Sequence, residues 1–220
     1  MAASKLLPIA VKAIDSAGWL LVFPLPDGNK IKVASLWQAL FPKSKMRWEW
    51  DDSADSRVVQ LWHLRREIAE SQKIIYSKWY RDRATVFSIP CFLALYRVLE
   101  PARQALSPDA REILELLEYE SPLSTKQLRR GVELQGKENE KRFHSATREL
   151  WRSLAMVGIG EIDDGAFPSL AHAATHTVFE DQVARASRLS FEDAWRKLDE
   201  WPELARAARK ILGANSGTKV

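Results

Sequence analysis

Between Ser107 and Leu170, apolar residues recur first at helical spacing and then at the alternate spacing of a strand. Ser107-Pro108-Asp109 offers a side-chain cap, a proline suited to a first helical position and an acidic group for the positive helix end. Ile113, Leu114, Leu116 and Leu117 then share one broad face until Glu120-Ser121-Pro122 interrupts the pattern, so a helix is expected up to Pro122. Ser124 and Gln127 fit a capping box before Leu128, which predicts a short second helix to about Gly131. A third helix is expected from about Glu138 to Ala155. At roughly 100° per residue, Phe143, Thr147, Leu150 and Leu154 fall on one side, and Lys141, Ser145, Arg148 and Arg152 lie roughly 140° to 200° away.

Val157 to Ile162 alternates as a half-buried strand would, and Asp163-Asp164-Gly165 is a tight-turn signal before Ala166-Phe167. Three helices followed by a two-stranded ribbon is the layout of a winged helix. In that layout the third helix enters the major groove, where arginine and lysine meet phosphates or guanine edges. Lys126, Arg129 and Arg130 on the preceding helix are then candidates for contacts that fix register on the backbone without reading sequence. A solvated helix face is the competing reading, because Glu138 and Glu149 border the basic stripe. Protein docking is another use of this layout.

The first hundred residues repeat the order in a more divergent form. Pro8 to Ala17 predicts a helix, Trp19 to Phe23 a strand, Pro26-Asp27-Gly28-Asn29 a turn before a strand over Lys30 to Val33, and Ala34 to Phe41 a helix. Ser56 to Ser71 is a longer helix whose outward side carries His63, Glu67 and Glu70, with Arg66 nearer the edge. Lys73 to Ser88 reads as a hairpin turning near Arg81-Asp82-Arg83, with Lys78, Arg81 and Arg83 as its candidates for phosphate contact. Pro90 to Leu99 is expected as a buried connecting helix, and Glu100 to Ser107 as a boundary. Near the carboxyl end, Ser190 and Asp193 cap a helix carrying Phe191, Ala194, Trp195 and Leu198, and another is expected from Pro202 to Leu212. The chain thus reads as mainly α with small β-hairpins, an α+β fold. Tandem winged-helix domains are expected over 1–100 and 101–180, then C-terminal helices over 181–212 and a flexible tail over 213–220.

Composition narrows the chemistry. The 220 residues are 46% hydrophobic, enough for a substantial core, and the net charge is only +4, so attraction to phosphate has to come from local clustering. Cys91 is the one cysteine, which excludes an internal disulfide and multi-cysteine zinc sites and fits a reducing cytoplasm. It sits among apolar residues without an adjacent histidine, as an inert buried thiol would. The apolar stretch from Val86 to Tyr96 is well short of the ~20 residues that span a bilayer, and neither membrane insertion nor secretion is expected. His172 and His176 have helical i,i+4 spacing without an intervening glutamate or a third ligand, so no metal is expected. No cofactor is implied either: Gly158 and Gly160 open a pattern that no third glycine completes, and there is no phosphate loop. Trp62, Trp151 and Trp195 are read as packing residues, whereas Lys43 to Trp50, with Trp48 and Trp50, mixes cations and aromatics as a nucleic-acid contact would.

Ser124-Thr125-Lys126-Gln127-Leu128, Glu149-Leu150 and the run from Val157 to Gly165 resemble winged-helix proteins related to the AlkZ/YcaQ crosslink-repair DNA glycosylases, over a stretch from about Leu61 to Leu170. The resemblance implies tandem winged helices and a double-stranded DNA partner. The glycosylases of that family carry Gln-X-Gln or Gln-X-Asp, but no glutamine here is followed two residues on by Gln or Asp, so no catalytic residue carries over. The leading expectation is a non-catalytic DNA-binding protein, in transcriptional regulation or as a repair accessory. The alternatives are a glycosylase with an unrecognised active site and a scaffold for a protein partner or homodimer.

Overall fold

The computed structural model describes residues 5–26, 28–29, 31–44, 46, 56–166 and 168–215. Among them, twelve helices accompany five strands, and all five strands join one antiparallel sheet. The first half runs α1 (Leu7–Ala17), β1 (Trp19–Leu21), α2 (Leu36–Leu40), α3 (Ser56–Ser71), β2 (Ile75–Tyr80) and β3 (Arg83–Phe87). Gly18 turns the chain from α1 into β1 at a φ of +79°, and a side chain there would lie 2.2 Å from the Trp201 ring. Ser35 and Gln38 form a reciprocal capping box at the start of α2. Arg81 and Asp82, with φ of +51° and +59°, make the tight turn between β2 and β3, and this left-handed pair suits the twist of a hairpin.

The strand expected over Lys30 to Val33 is absent from the described residues of that range. Ile31 to Val33 is irregular, Lys30 lies outside the described residues, and Leu21 instead makes one parallel bridge to Ser35. Ser35 is already committed to capping α2, so the chain leaves the sheet edge after that bridge.

α4 (Ile89–Val98) and α5 (Glu100–Gln104) lead into α6 (Pro108–Glu120), α7 (Thr125–Gly131), α8 (Glu140–Arg152), β4 (Met156–Ile162) and β5 (Ser169–Ala174). The serines at 107 and 124 cap α6 and α7 as their spacing predicts. Leu123, between α6 and α7, bridges His172 of β5, the position that β1 holds beside β3 in the first half. Each half therefore follows helix, extended residue or strand, two helices, hairpin. The return strand starts at Ser169, later than the expected Ala166-Phe167, and Phe167 lies outside the described residues.

α9 (Thr175–Val178), α10 (Glu180–Ser187), α11 (Phe191–Leu198) and α12 (Pro202–Asn215) complete the chain. α9 lies before the C-terminal helices expected over 181–212, and within that range no cap or stripe singled out α10, where only Ala186 is fully buried. α12 continues through Gly213 to Asn215, so the expected tail does not begin at Gly213. Ser216 to Val220 lie outside the described residues.

The strand order β1-β3-β2-β4-β5 places the two hairpins side by side, with β2 pairing β3 on one flank and β4 on the other. Tyr76 lies opposite Gly158 at the junction, where a Cβ on Gly158 would stand 2.6 Å from the Tyr76 ring. Side-chain alternation divides the core between two faces. Leu21, Ile75, Trp79, Phe87 and Val157 pack with α4, α10, α11 and α12. On the other face, Leu20, Tyr76 and Val86 pack with α1, α2 and α3, while Met156 and Ala174 pack with α6 and α8. Cys91 is buried on α4, where desolvation pushes its thiol pKa up.

A candidate nucleic-acid interface

The α8 sequence separates its two sides cleanly. Of the expected apolar stripe, Phe143 and Leu150 are buried with Ala146 and Trp151 beside them, Thr147 is half-buried, and Leu154 is buried beyond the end of the helix; Lys141, Ser145, Arg148 and Arg152 are exposed, as the wheel placed them. Glu140 in the first turn and Arg152 in the last match the helix dipole. Two of the outer residues meet the first half of the molecule: Arg148 Nε lies 3.2 Å from Asp82 Oδ2, and Arg152 Nε lies 3.8 Å from Asp82 Oδ1. Beneath them, Trp79 Nε1 donates to the Arg152 carbonyl at 2.9 Å.

α3 makes the reciprocal contact. Arg65 Nη2 lies 2.5 Å from Glu161 Oε1 on β4, and Arg66 Nη1 lies 3.9 Å from the other carboxylate oxygen. The Arg65 and Glu161 side chains are only 11% and 10% exposed, so this contact is shut away from water. Arg65 also covers Trp62 at 4.0 Å. Trp62, read as a packing residue, is 40% exposed, because the ring lies on the outer edge of α3. Trp151 is buried and Trp195 half-buried.

Between the outer face of α8, the β2–β3 turn and α12 lies a cleft of about 450 Å³. Arg148 and Arg152 line it from α8, Arg206 and Lys210 from α12, and Arg81 from the hairpin turn. Trp79, Tyr80, Leu106 and Ile211 contribute the apolar lining. The Tyr80 hydroxyl donates to Glu203, which also pairs with Arg206. Burial first, and then this bond to Glu203, pushes the Tyr80 pKa up to about 12. The phenol therefore stays protonated and fixed. α12 was expected only to pack, and its cations were missed. Arg206 and Lys210 are spaced as on any solvated helix, and only the tertiary fold brings them opposite α8.

The other sequence candidates separate. Arg81 and Arg83 are exposed at the hairpin, and Lys126 and Arg130 are exposed on α7. Lys126 Nζ lies 3.4 Å from the Asp164 carbonyl, and the Asp164 carboxylate accepts from Ser124 and Ser169, tying the β4–β5 loop to the α7 cap. Those hydroxyls hold the Asp164 pKa below its ordinary value.

Lys78 and Arg129 are corrections. Lys78 points from the middle of the sheet into a half-buried position, where burial and then Arg65 lower its pKa. Arg129 lies 5.0 Å over the Phe143 ring, and its Nε and Nη2 are buried without a hydrogen-bond partner. Each faces the protein because its element packs on that side. The histidines also differ from the spacing that drew attention to them. His172 is in β5, bonded through Nδ1 to the Leu123 carbonyl at 3.0 Å, and His176 is in α9, 3.2 Å from Glu118. Trp48 and Trp50 lie outside the described residues. No helix among the described residues is long and apolar enough to cross a membrane.

A family model described as AlkZ related matches residues 8–207, well beyond the stretch that carried the sequence resemblance. No curated protein and no solved structure matches the chain. The matched span takes in both halves, the connecting helices and most of the C-terminal layer, and on that extent the chain belongs to the AlkZ-related family.

Proposed function

We propose that this protein is a non-catalytic tandem winged-helix protein that binds duplex DNA through the outer face of α8, in transcriptional regulation or as a repair accessory. One observation carries the reading: Lys141, Ser145, Arg148 and Arg152 emerge exposed from a helix whose opposite side is seated in the core. The element order of each half supports it, and membership of the AlkZ-related family is compatible with work on DNA. The absence of Gln-X-Gln and Gln-X-Asp from the sequence favours binding over base excision.

The two third helices are not equivalent readers. Arg65 and Arg66 of α3 are engaged by Glu161, whereas Arg148 and Arg152 remain 51% and 44% exposed. A duplex would therefore meet one reading helix, flanked by Lys126, Arg130, Arg81 and Arg83 as backbone contacts.

The test is duplex binding across a salt series. Phosphate-driven binding weakens linearly in log salt, and Arg148→Ala should lower affinity by about tenfold while making the slope shallower by about one contact. Salt-insensitive or absent binding, or an unchanged Arg148→Ala affinity, rejects the reading in favour of the protein scaffold. Release of a base from alkylated or crosslinked DNA would instead establish the glycosylase.

A further inference from the structure

The cleft beside α8 is too small for a duplex and well suited to something smaller. Its volume of about 450 Å³ falls within the range of small-ligand sites. Cations converge on it from three elements: Arg81 from the hairpin turn, Arg148 and Arg152 from α8, and Arg206 and Lys210 from α12. The nearby carboxylates are largely engaged. Of the two carboxylates that line it, Glu203 holds the Tyr80 hydroxyl and Arg206, and Glu149 accepts from the Ser107 amide; Asp82, beside the cleft, is shared between Arg148 and Arg152. Among the described residues, Arg81 and Lys210 have no carboxylate within ion-pair distance. Ala105, Ala207 and Ile211 give the cleft an accessible apolar surface, with Tyr80 and Leu106 buried behind it, so the site pairs anion-attracting cations with a surface for a flat apolar body.

We infer that the cleft binds a small organic phosphate of mononucleotide size, and that this ligand competes with DNA for Arg148 and Arg152. The phosphate meets Arg148, Arg206 and Lys210, and the ring lies against Ala105, Ala207 and Ile211. The competition rests on the DNA reading of α8; the binding site does not.

Calorimetric titration of the full chain with adenosine 5′-monophosphate at low ionic strength tests it. Saturable one-to-one binding is expected, with adenosine and inorganic phosphate each weaker by at least about tenfold, because each supplies only half of the contacts. Lys210→Glu, at an exposed position, should weaken the nucleotide by about tenfold or more through charge reversal. Ala207→Trp should abolish binding by filling the cleft, and Lys210→Glu keeps the test decisive if that variant fails to fold. The nucleotide should also raise the apparent Kd for duplex. A nucleotide no tighter than inorganic phosphate, or indifferent to Lys210→Glu, overturns the site; an unchanged duplex Kd with nucleotide bound overturns the competition. Duplex binding without nucleotide binding removes this inference alone, and nucleotide binding without duplex binding removes only the DNA reading.

Discussion

Asp82 of the first hairpin holds Arg148 of the second half's third helix at 3.2 Å, so one half places a carboxylate on the cationic face of the other. Both side chains are about half exposed, at 51% and 45%, and such a pair contributes less than about 1 kcal/mol to stability. Its larger effect is on charge, since the same carboxylate also reaches Arg152. Asp82→Asn should therefore leave the unfolding midpoint nearly unchanged while strengthening duplex binding by about threefold to tenfold at low salt, through the loss of a competing anion. Asparagine tolerates the left-handed backbone at this position, so the turn is preserved. Weaker binding by Asp82→Asn in a salt series would show that the carboxylate orients the arginines instead of competing for them.

The mirror contact should respond differently. Glu161 lies between Arg65 and Arg66 with only 10% of its side chain exposed. Glu161→Ala would leave buried guanidinium charge without its counter-ion and is expected to cost about 3 kcal/mol, read as a fall in the urea midpoint. A loss as small as that of Asp82→Asn would mean that water reaches Arg65 after the substitution.

Gly158→Val tests the junction between the two hairpins. A Cβ at this position would stand 2.6 Å from the Tyr76 ring across the β2–β4 pairing, and Tyr76 is itself fully packed. The expected cost is about 2 kcal/mol or more, with near-ultraviolet circular dichroism reporting the displaced aromatic ring. Gly165→Ala, where nothing lies within 4 Å, is the control and should change little.

His172 makes stability depend on pH. Burial holds its pKa at about 4, below the ordinary 6.5, so the ring is neutral in the fold while the unfolded chain takes up a proton more readily. The resulting stability is fully present above about pH 6.5 and is lost as pH falls towards about 4, a change on the order of 3 kcal/mol. Denaturant titrations between these limits should show the decline, and His172→Gln should flatten it. The same slope in the variant would assign the effect to other groups.

How much of this could be read in the chain differs by kind of information. The Ser107 and Ser124 caps, the helix faces around Phe143 and Leu150, and the turn at Arg81-Asp82 are written in neighbouring residues, and they appear within a few positions of where the pattern set them. The meeting of β2 with β4 has no such record, because nothing in Ile75 to Tyr80 or Met156 to Ile162 names its partner beyond the glycine at 158. Arg148 could be placed on an outward face, but the arrival of Asp82 beside it depends on that pairing. Lys78 and Arg129 look like ordinary surface cations in the sequence, and only the neighbouring layers close over them.

The shared sheet carries a consequence for any attempt to divide the molecule. Cleavage between residues 100 and 107 would strip β2 and β4 of their mutual cover and leave each fragment with an open strand edge where Tyr76 and Gly158 now meet. Such fragments would clump or swap strands instead of behaving as miniature versions of the parent, and the intact protein would melt in a single step.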